Sequence, residues 1–355
     1  MKNFFIILTL CFLVLGSQAK ESADLIWSRE YRKPSTGFSI TPEIIFLGLP
    51  DRVVGVDYLG IQRWSYLTKA EVQVLGGGGE SVFAYLADGS VIQLSTEGEV
   101  LNLFNVPSAI NFPQSLAESG RGYFFGTQNG AAYFYGLTGS RRLSYQTDGY
   151  IILTQIHEDG FRLVSDKRIY SFNQSLDLIS KSPDHDFIRI AAASEDVVVC
   201  ATNNRKILLY DNELTLRWSM DTESVVGVLN LKNQSILAGT QGGKVYRLHI
   251  NGSVLDEFSL PSPVVSADLN ENFIVSGTLD NQLFIHTKEG DLMKKISLNS
   301  TPHHISMGSD NVIVVTDEGQ ISYFKIPSYN LHPVLFVFVA LFSMALVFFV
   351  LIRNW

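Results

Sequence analysis

The sequence predicts an all-β fold: an eight-bladed β-propeller closed by an N-terminal strand, followed by one C-terminal transmembrane helix. Seven blades, with one repeat miscounted, is the alternative. Three observations carry this. A turn signature of Asn, Asp and Gly returns about every 38 residues. A strand near the N-terminus matches the fourth strand of the repeats. Residues 334–352 form an uncharged apolar run.

The clearest repeat is Ser276–Leu298. It reads as three short strands joined by tight turns at Asp280-Asn281 and Glu289-Gly290. Asn, Asp and Gly tolerate the positive φ that two-residue hairpins need. Leu283, Ile285 and Thr287 alternate with Gln282, Phe284 and His286, the period of a strand whose faces see different neighbours. One such sheet is marginal alone; stacked copies bury each other's faces.

The first turn falls at Asp51, Gly89, Gly130, Lys167, Asn204, Gly243, Asn281 and Gly319. The second falls at Gly60, Gly98, Gly139, Ser175, Glu213, Gly252 and Gly290. Eight first turns against seven second turns leave the last repeat without its fourth strand. Leu25-Ile-Trp-Ser-Arg-Glu-Tyr31 resembles Ile61–Tyr66 and Leu214–Met220 and supplies it. Pairing it with the last repeat removes two open sheet edges. The 304 residues from 24 to 327 then make eight units of 38.

The inner strands are expected at 38–40, 72–75, 115–116, 150–153, 187–190, 225–228, 264–267 and 304–307. Pro113, Pro183, Pro263 and Pro302 stand at or just before the start of several, where no ladder donor is lost. These connectors and the first turns are expected to share one rim. Gly76–Gly79 reads as a turn between strands, since Glu80-Ser81-Val82-Phe83 lacks the Lys-Ser/Thr pair and helix of a phosphate loop.

Composition fits this picture. Hydrophobic residues make up 46% and charged residues 17%, which suits short half-buried strands and argues against disorder. The net charge is −8 without a basic cluster, so nucleic acid is not an expected partner.

The ends set the topology. Met1-Lys2-Asn3, the apolar run Phe4–Leu15 and Ser17-Gln18-Ala19 read as a signal peptide over 1–19. The extracytoplasmic propeller is expected over 20–327 and a linker over 328–333. The 19 residues of 334–352 would span about 28 Å as a helix, and 353–355 form a cytoplasmic tail beginning with Arg353. Removal of Cys11 with the signal leaves Cys200, read as a small buried residue on a strand. Asn173, Asn233, Asn251 and Asn299 head Asn-x-Ser/Thr sites at a frequency that chance supplies. The bacterial periplasm is the favoured location, with the ER lumen or cell exterior if the source is eukaryotic.

Val56-Asp-Tyr-Leu-Gly-Ile-Gln-Arg-Trp64 has the form D-x-x-G-x-x-x-W. With Asp211…Trp218 and Trp27 it resembles the repeats of pyrroloquinoline-quinone-type (PQQ-like) propellers. That resemblance implies a tryptophan packed between neighbouring blades; Phe104, Tyr145 or Phe258 takes its place elsewhere. The small blades and export signal are similar to the BamB-like branch, periplasmic scaffolds of β-barrel assembly that bind proteins and are non-catalytic. This chain differs in its C-terminal apolar segment and in having Leu10, not a small residue, before Cys11.

The quinone-dependent dehydrogenases of the family use adjacent cysteines, which this sequence lacks. Asp184-His185-Asp186 reads as a solvated connector. His303 and His304, adjacent on a strand, are expected on opposite faces. No Gly-x-Ser-x-Gly elbow occurs. No catalytic, cofactor-binding or metal-binding residue is assigned, and no cofactor is expected. The expected role is a non-enzymatic protein-interaction scaffold, tethered through 334–352, with a partner on a propeller rim, and the connector rim is favoured. A ligand or peptide sensor, or a quinone-dependent oxidoreductase, is the alternative.

Overall fold

The computed structural model describes residues 23–326, apart from 32, 34, 35, 78–80 and 120. Asp24–Lys325 form one compact unit. The expected signal peptide, linker, membrane segment and tail lie outside the described residues.

Among the described residues there are 32 strands and one 3₁₀ turn. They form six four-stranded sheets and one eight-stranded sheet. The six are antiparallel. Five run in sequence order over 116–146, 151–181, 188–221, 226–259 and 264–297. In the sixth, Asp24–Glu30 lies beside Gln320–Lys325, followed by Asn311–Thr316 and Pro302–Met307. The eight-stranded sheet is two four-stranded meanders, 37–67 and 72–105, joined by one parallel pairing of Gly37 with Leu75. First strands of successive sheets touch each other, with the turn Pro113–Ser115 making the contact to Val72–Gly76, and Gly37–Ile40 also meets Pro302–Met307, so the array closes on itself. This is a β-propeller with the first strands innermost.

The expected closing strand pairs with the last repeat. Asp24 sits opposite Lys325, Ser28 opposite Ser322 and Glu30 opposite Gln320. Every first-turn residue expected from sequence lies between the second and third strands of a sheet. The inner strands match closely too, with one difference. Pro113–Ser115 form a 3₁₀ turn, and the strand begins at Leu116. Pro113 brings a fixed φ, and Ser115 donates from both N–H (3.0 Å) and Oγ (2.7 Å) to the Phe112 carbonyl.

Neighbouring sheets are tied by outer-strand rings. Trp27, Trp64 and Trp218 each donate their indole N–H to a second-turn carbonyl of the following four-stranded unit, at Tyr58 (2.9 Å), Thr96 (2.7 Å) and Ile250 (2.8 Å). Each ring lies over a glycine there. A Cβ on Gly98 would come 2.5 Å from Trp64, and Gly98 also has φ +82°. Two sheets lack that glycine. Leu176 (φ 70°) and Leu214 (φ 60°) take its left-handed conformation, one residue beyond the expected Ser175 and Glu213. A leucine there costs about 1 kcal/mol. Leu214 is 7% exposed and joins the buried cluster of Val198, Leu208 and Tyr210, which offsets that cost.

Cys200 is free and fully buried, as expected. His286 is buried as well, 4% exposed, and stacks on Phe258 at 4.0 Å. Burial pushes its pKa down to about 4. The neutral ring is therefore the folded form, while the unfolded chain protonates below about 6.5. Stability from this group is complete above about pH 6.5 and is lost as pH falls toward 4, on the order of 3 kcal/mol. His286→Gln is expected to flatten the fall in thermal midpoint between pH 6.5 and 4 relative to the parent chain. Identical pH profiles would contradict the assignment.

Candidate interaction surfaces

The repeat gives the propeller two unlike edges. First turns and inter-sheet connectors occupy one, as the sequence predicts. The backbone joins them repeatedly: Val106 N–H donates to Gly89 (2.9 Å), Leu260 to Gly243 (2.8 Å) and Leu298 to Asn281 (2.8 Å). A pocket of about 400 Å³ opens beside Pro183, lined by Asp184, His185, Asp186, Lys206 and Tyr210 among others. His185 Nε2 lies 3.1 Å from Tyr210 Oη and 3.3 Å from Ser182 Oγ. Burial lowers its pKa, countered in part by Asp184. Arg168 Nε pairs with Asp184 (2.6 Å) and Asp148 (3.1 Å), and Asn204 donates to Asp186 (3.1 Å).

These residues do not build a metal centre. Among the described residues no group of three or more His, Cys, Asp or Glu is arranged to hold a metal ion. His303 and His304 depart from the expected opposition. A register shift between Pro302 and His304 brings their rings to 4.7 Å, edge to face. The His304 ring also packs on Phe38, and burial pushes its pKa down to about 3.

The channel holds a cavity of about 310 Å³ bordered by Phe38, Gly76, Pro113, Gln114 and Gln155. Gly76 ends an inner strand, and a Cβ there would stand 2.7 Å from the Pro113 carbonyl. Close backbone approach is the role of this glycine.

The other edge carries the turns between first and second strands, near the axis, and the second turns at the perimeter. Two buried charges bind sheets together there. Asp268 is 2% exposed and accepts from Asn230 Nδ2 (2.9 Å), Lys232 Nζ (2.5 Å), its neighbour Leu269 N–H (2.8 Å) and Met307 N–H (2.8 Å), so one carboxylate joins three sheets. Arg162 is 0% exposed. It donates to Gln155 Oε1 (3.0 Å), the Ser194 carbonyl (2.8 Å), the Glu195 carbonyl (2.9 Å) and Asn212 Oδ1. A groove of about 640 Å³ lies nearby, lined by Arg247, Asn272, Lys288 and Met307 among others.

The same edge exposes the aliphatic side chains. Of the 17 exposed large hydrophobic residues described, 13 stand in the second turns or at the starts of outer strands. Leu25-Ile26, Val100-Leu101, Leu178-Ile179 and Val254-Leu255 are examples. Leu67, Phe187 and Leu279 are at the connector edge, and Leu103 is between. The two charges and this aliphatic ring were not foreseen from sequence. The ring has a sequence signal: adjacent aliphatic residues at the start of an outer strand, before its aromatic position.

No protein-family model and no curated protein sequence matches the chain. Solved structures do. The computationally designed Ika8 protein superposes with a TM-score of 0.78 at 19% identity, covering 86% of this chain and 100% of that one. The C-terminal WD40 domain of Sif2 gives 0.74 at 11%, covering 86% and 99%. BamB from Moraxella catarrhalis gives 0.67 at 13%, covering 86% and 100%. At these identities the likeness establishes the propeller fold.

Removing Asp268 leaves the Lys232 ammonium and the Met307 N–H without their partner. Asp268→Ala is expected to cost about 3–5 kcal/mol, read as the denaturant midpoint, whereas Glu271→Ala on an exposed turn is expected to cost under about 0.5 kcal/mol. Equal effects would contradict the clamp.

Proposed function

We propose that this chain is a membrane-tethered, non-enzymatic scaffold that docks a protein partner on one edge of an eight-bladed, PQQ-like propeller in the cell envelope. The observation that carries it is the aliphatic ring, confined almost wholly to one edge. Large exposed apolar surface at one place marks a contact surface. The structural likeness to BamB and to a WD40 domain supports the scaffold class.

We count eight blades because the eight-stranded sheet divides into two complete meanders at the single Gly37–Leu75 pairing. The three tryptophans that bond to the following four-stranded unit support the PQQ-like repeat. Tethering rests on residues 334–352, and export, favoured to the periplasm, on residues 1–19. The last strand ends at Lys325, paired with Asp24 at the aliphatic edge. Tethering raises the effective concentration of partners held in the same membrane. The pocket beside Pro183 favours a second reading, a ligand or peptide sensor on the connector edge.

Photo-crosslinking residues placed at Leu101 or Leu255 in intact membranes are expected to give discrete protein adducts, and those at Glu71 or Asp280 none. Adducts only from the latter pair would move the partner to the connector edge. None from either would contradict the scaffold reading. Deleting 334–352 is expected to release the chain from carbonate-washed membranes.

A further inference from the structure

Building on the scaffold reading, we infer that the partner presents a cationic, aliphatic protein segment, a basic amphipathic stretch, to the edge of the sheets spanning 151–181 and 188–221. The two sheets place complementary features on one edge. Near the axis, their inner turns expose Glu158-Asp159 and Glu195-Asp196. Glu195 Oε2 accepts the Glu158 N–H at 3.2 Å, which brings the two acidic pairs together across the sheet junction. At the perimeter of the same edge, Leu178, Ile179 and Leu216 are 41%, 64% and 47% exposed.

Among the described residues none of these four carboxylates is in an ion pair. Three basic groups face them. Arg162 lies fully buried beneath, spent on carbonyl and amide oxygens, and offsets Glu195 and Asp196 in part. Arg121 donates to the Glu158 carbonyl at 2.6 Å. His157 is half-buried, and its pKa is lowered, first by burial and then by Arg162, so it stays neutral. Four carboxylates therefore outnumber the two guanidinium charges, one of which is out of reach of solvent.

A bilayer surface would satisfy the leucines but not these carboxylates, because anionic headgroups repel them. A segment carrying Lys or Arg beside Leu, Ile or Val satisfies both, its charged heads meeting the turns and its aliphatic stems the perimeter.

The test places a photo-crosslinking residue at Ile179 of the full chain in its membranes and sequences the crosslinked peptides. The expected adducts are rich in Lys or Arg and aliphatic residues. Their yield is expected to fall about tenfold in the variant E158Q/D159N/E195Q/D196N, and to hold in D317N/E318Q on the opposite edge. Should the fourfold variant not fold, raising salt from about 0.1 M to about 1 M shortens the screening length from about 10 Å to about 3 Å and should lower the yield likewise. A short Leu/Lys peptide is expected to compete, and its Leu/Glu counterpart not to. Protein adducts insensitive to both charge and salt would overturn this inference while leaving the scaffold reading standing. Lipid adducts alone, or acidic peptides, would overturn it as well; no adduct at Ile179, with adducts retained at Leu101, would place the partner on other sheets.

Discussion

The pairing of Asp24–Glu30 with Gln320–Lys325 is the constraint on which the architecture depends. It joins strands about 290 residues apart, yet loop-closure entropy grows only as the logarithm of that separation. What it gains is large. The last sheet receives its outer strand and so ends, like the others, in a short outer edge. The closing strand also reaches forward into the next sheet. Trp27 bonds to the Tyr58 carbonyl and Arg29 to the Gly60 carbonyl, each at 2.9 Å. Trp27 lies parallel to Tyr323 at 5.8 Å. One strand therefore completes a sheet and fastens the first sheet to the last.

Repetition then sorts chemistry by edge. Each unit delivers its first turn and connector to one side and its other two turns to the opposite side. A residue preference repeated through the units becomes a ring. Aliphatic residues at the starts of outer strands become a perimeter, and acidic residues in inner turns become a cluster near the axis. Buried polar groups at the sheet junctions hold that edge in register. Asp268 and Arg162 are each bonded across sheets, so movement of one sheet relative to the next would strand a buried charge. A rigid edge suits a docking surface, because little ordering remains to be done on binding.

Much of the fold was legible in sequence because it depends on local turn chemistry. Gly89, Gly130, Gly243, Asn281 and Gly319 have positive φ, and their residue types announce it. The closing strand was legible because it copies the Trp-Ser pattern of other outer strands. Features that depend on neighbouring sheets were not. Nothing local marks Leu176 and Leu214 as left-handed residues. Arg162 reads as an exposed strand residue until its neighbours Ser194, Glu195 and Asn212 are seen around it. The shift beside His303 and His304 recurs at the start of other inner strands, such as Val226/Val228 and Val264/Ser266, so it belongs to the repeat and not to the two histidines. The aliphatic ring was written in the sequence as adjacent apolar pairs, but strands routinely hold such pairs for burial. Only the geometry of the perimeter shows them uncovered.

The most direct measurement is a disulfide trap across the closing pair. Ser28 and Ser322 stand opposite each other with their Oγ atoms 3.0 Å apart, a separation from which two cysteines can bond. In the double variant Ser28→Cys/Ser322→Cys, with Cys200 buried and out of reach, mild oxidation should give one intramolecular disulfide that raises the unfolding temperature. Thiols that stay free, or that bond only between chains, would contradict closure by the N-terminal strand.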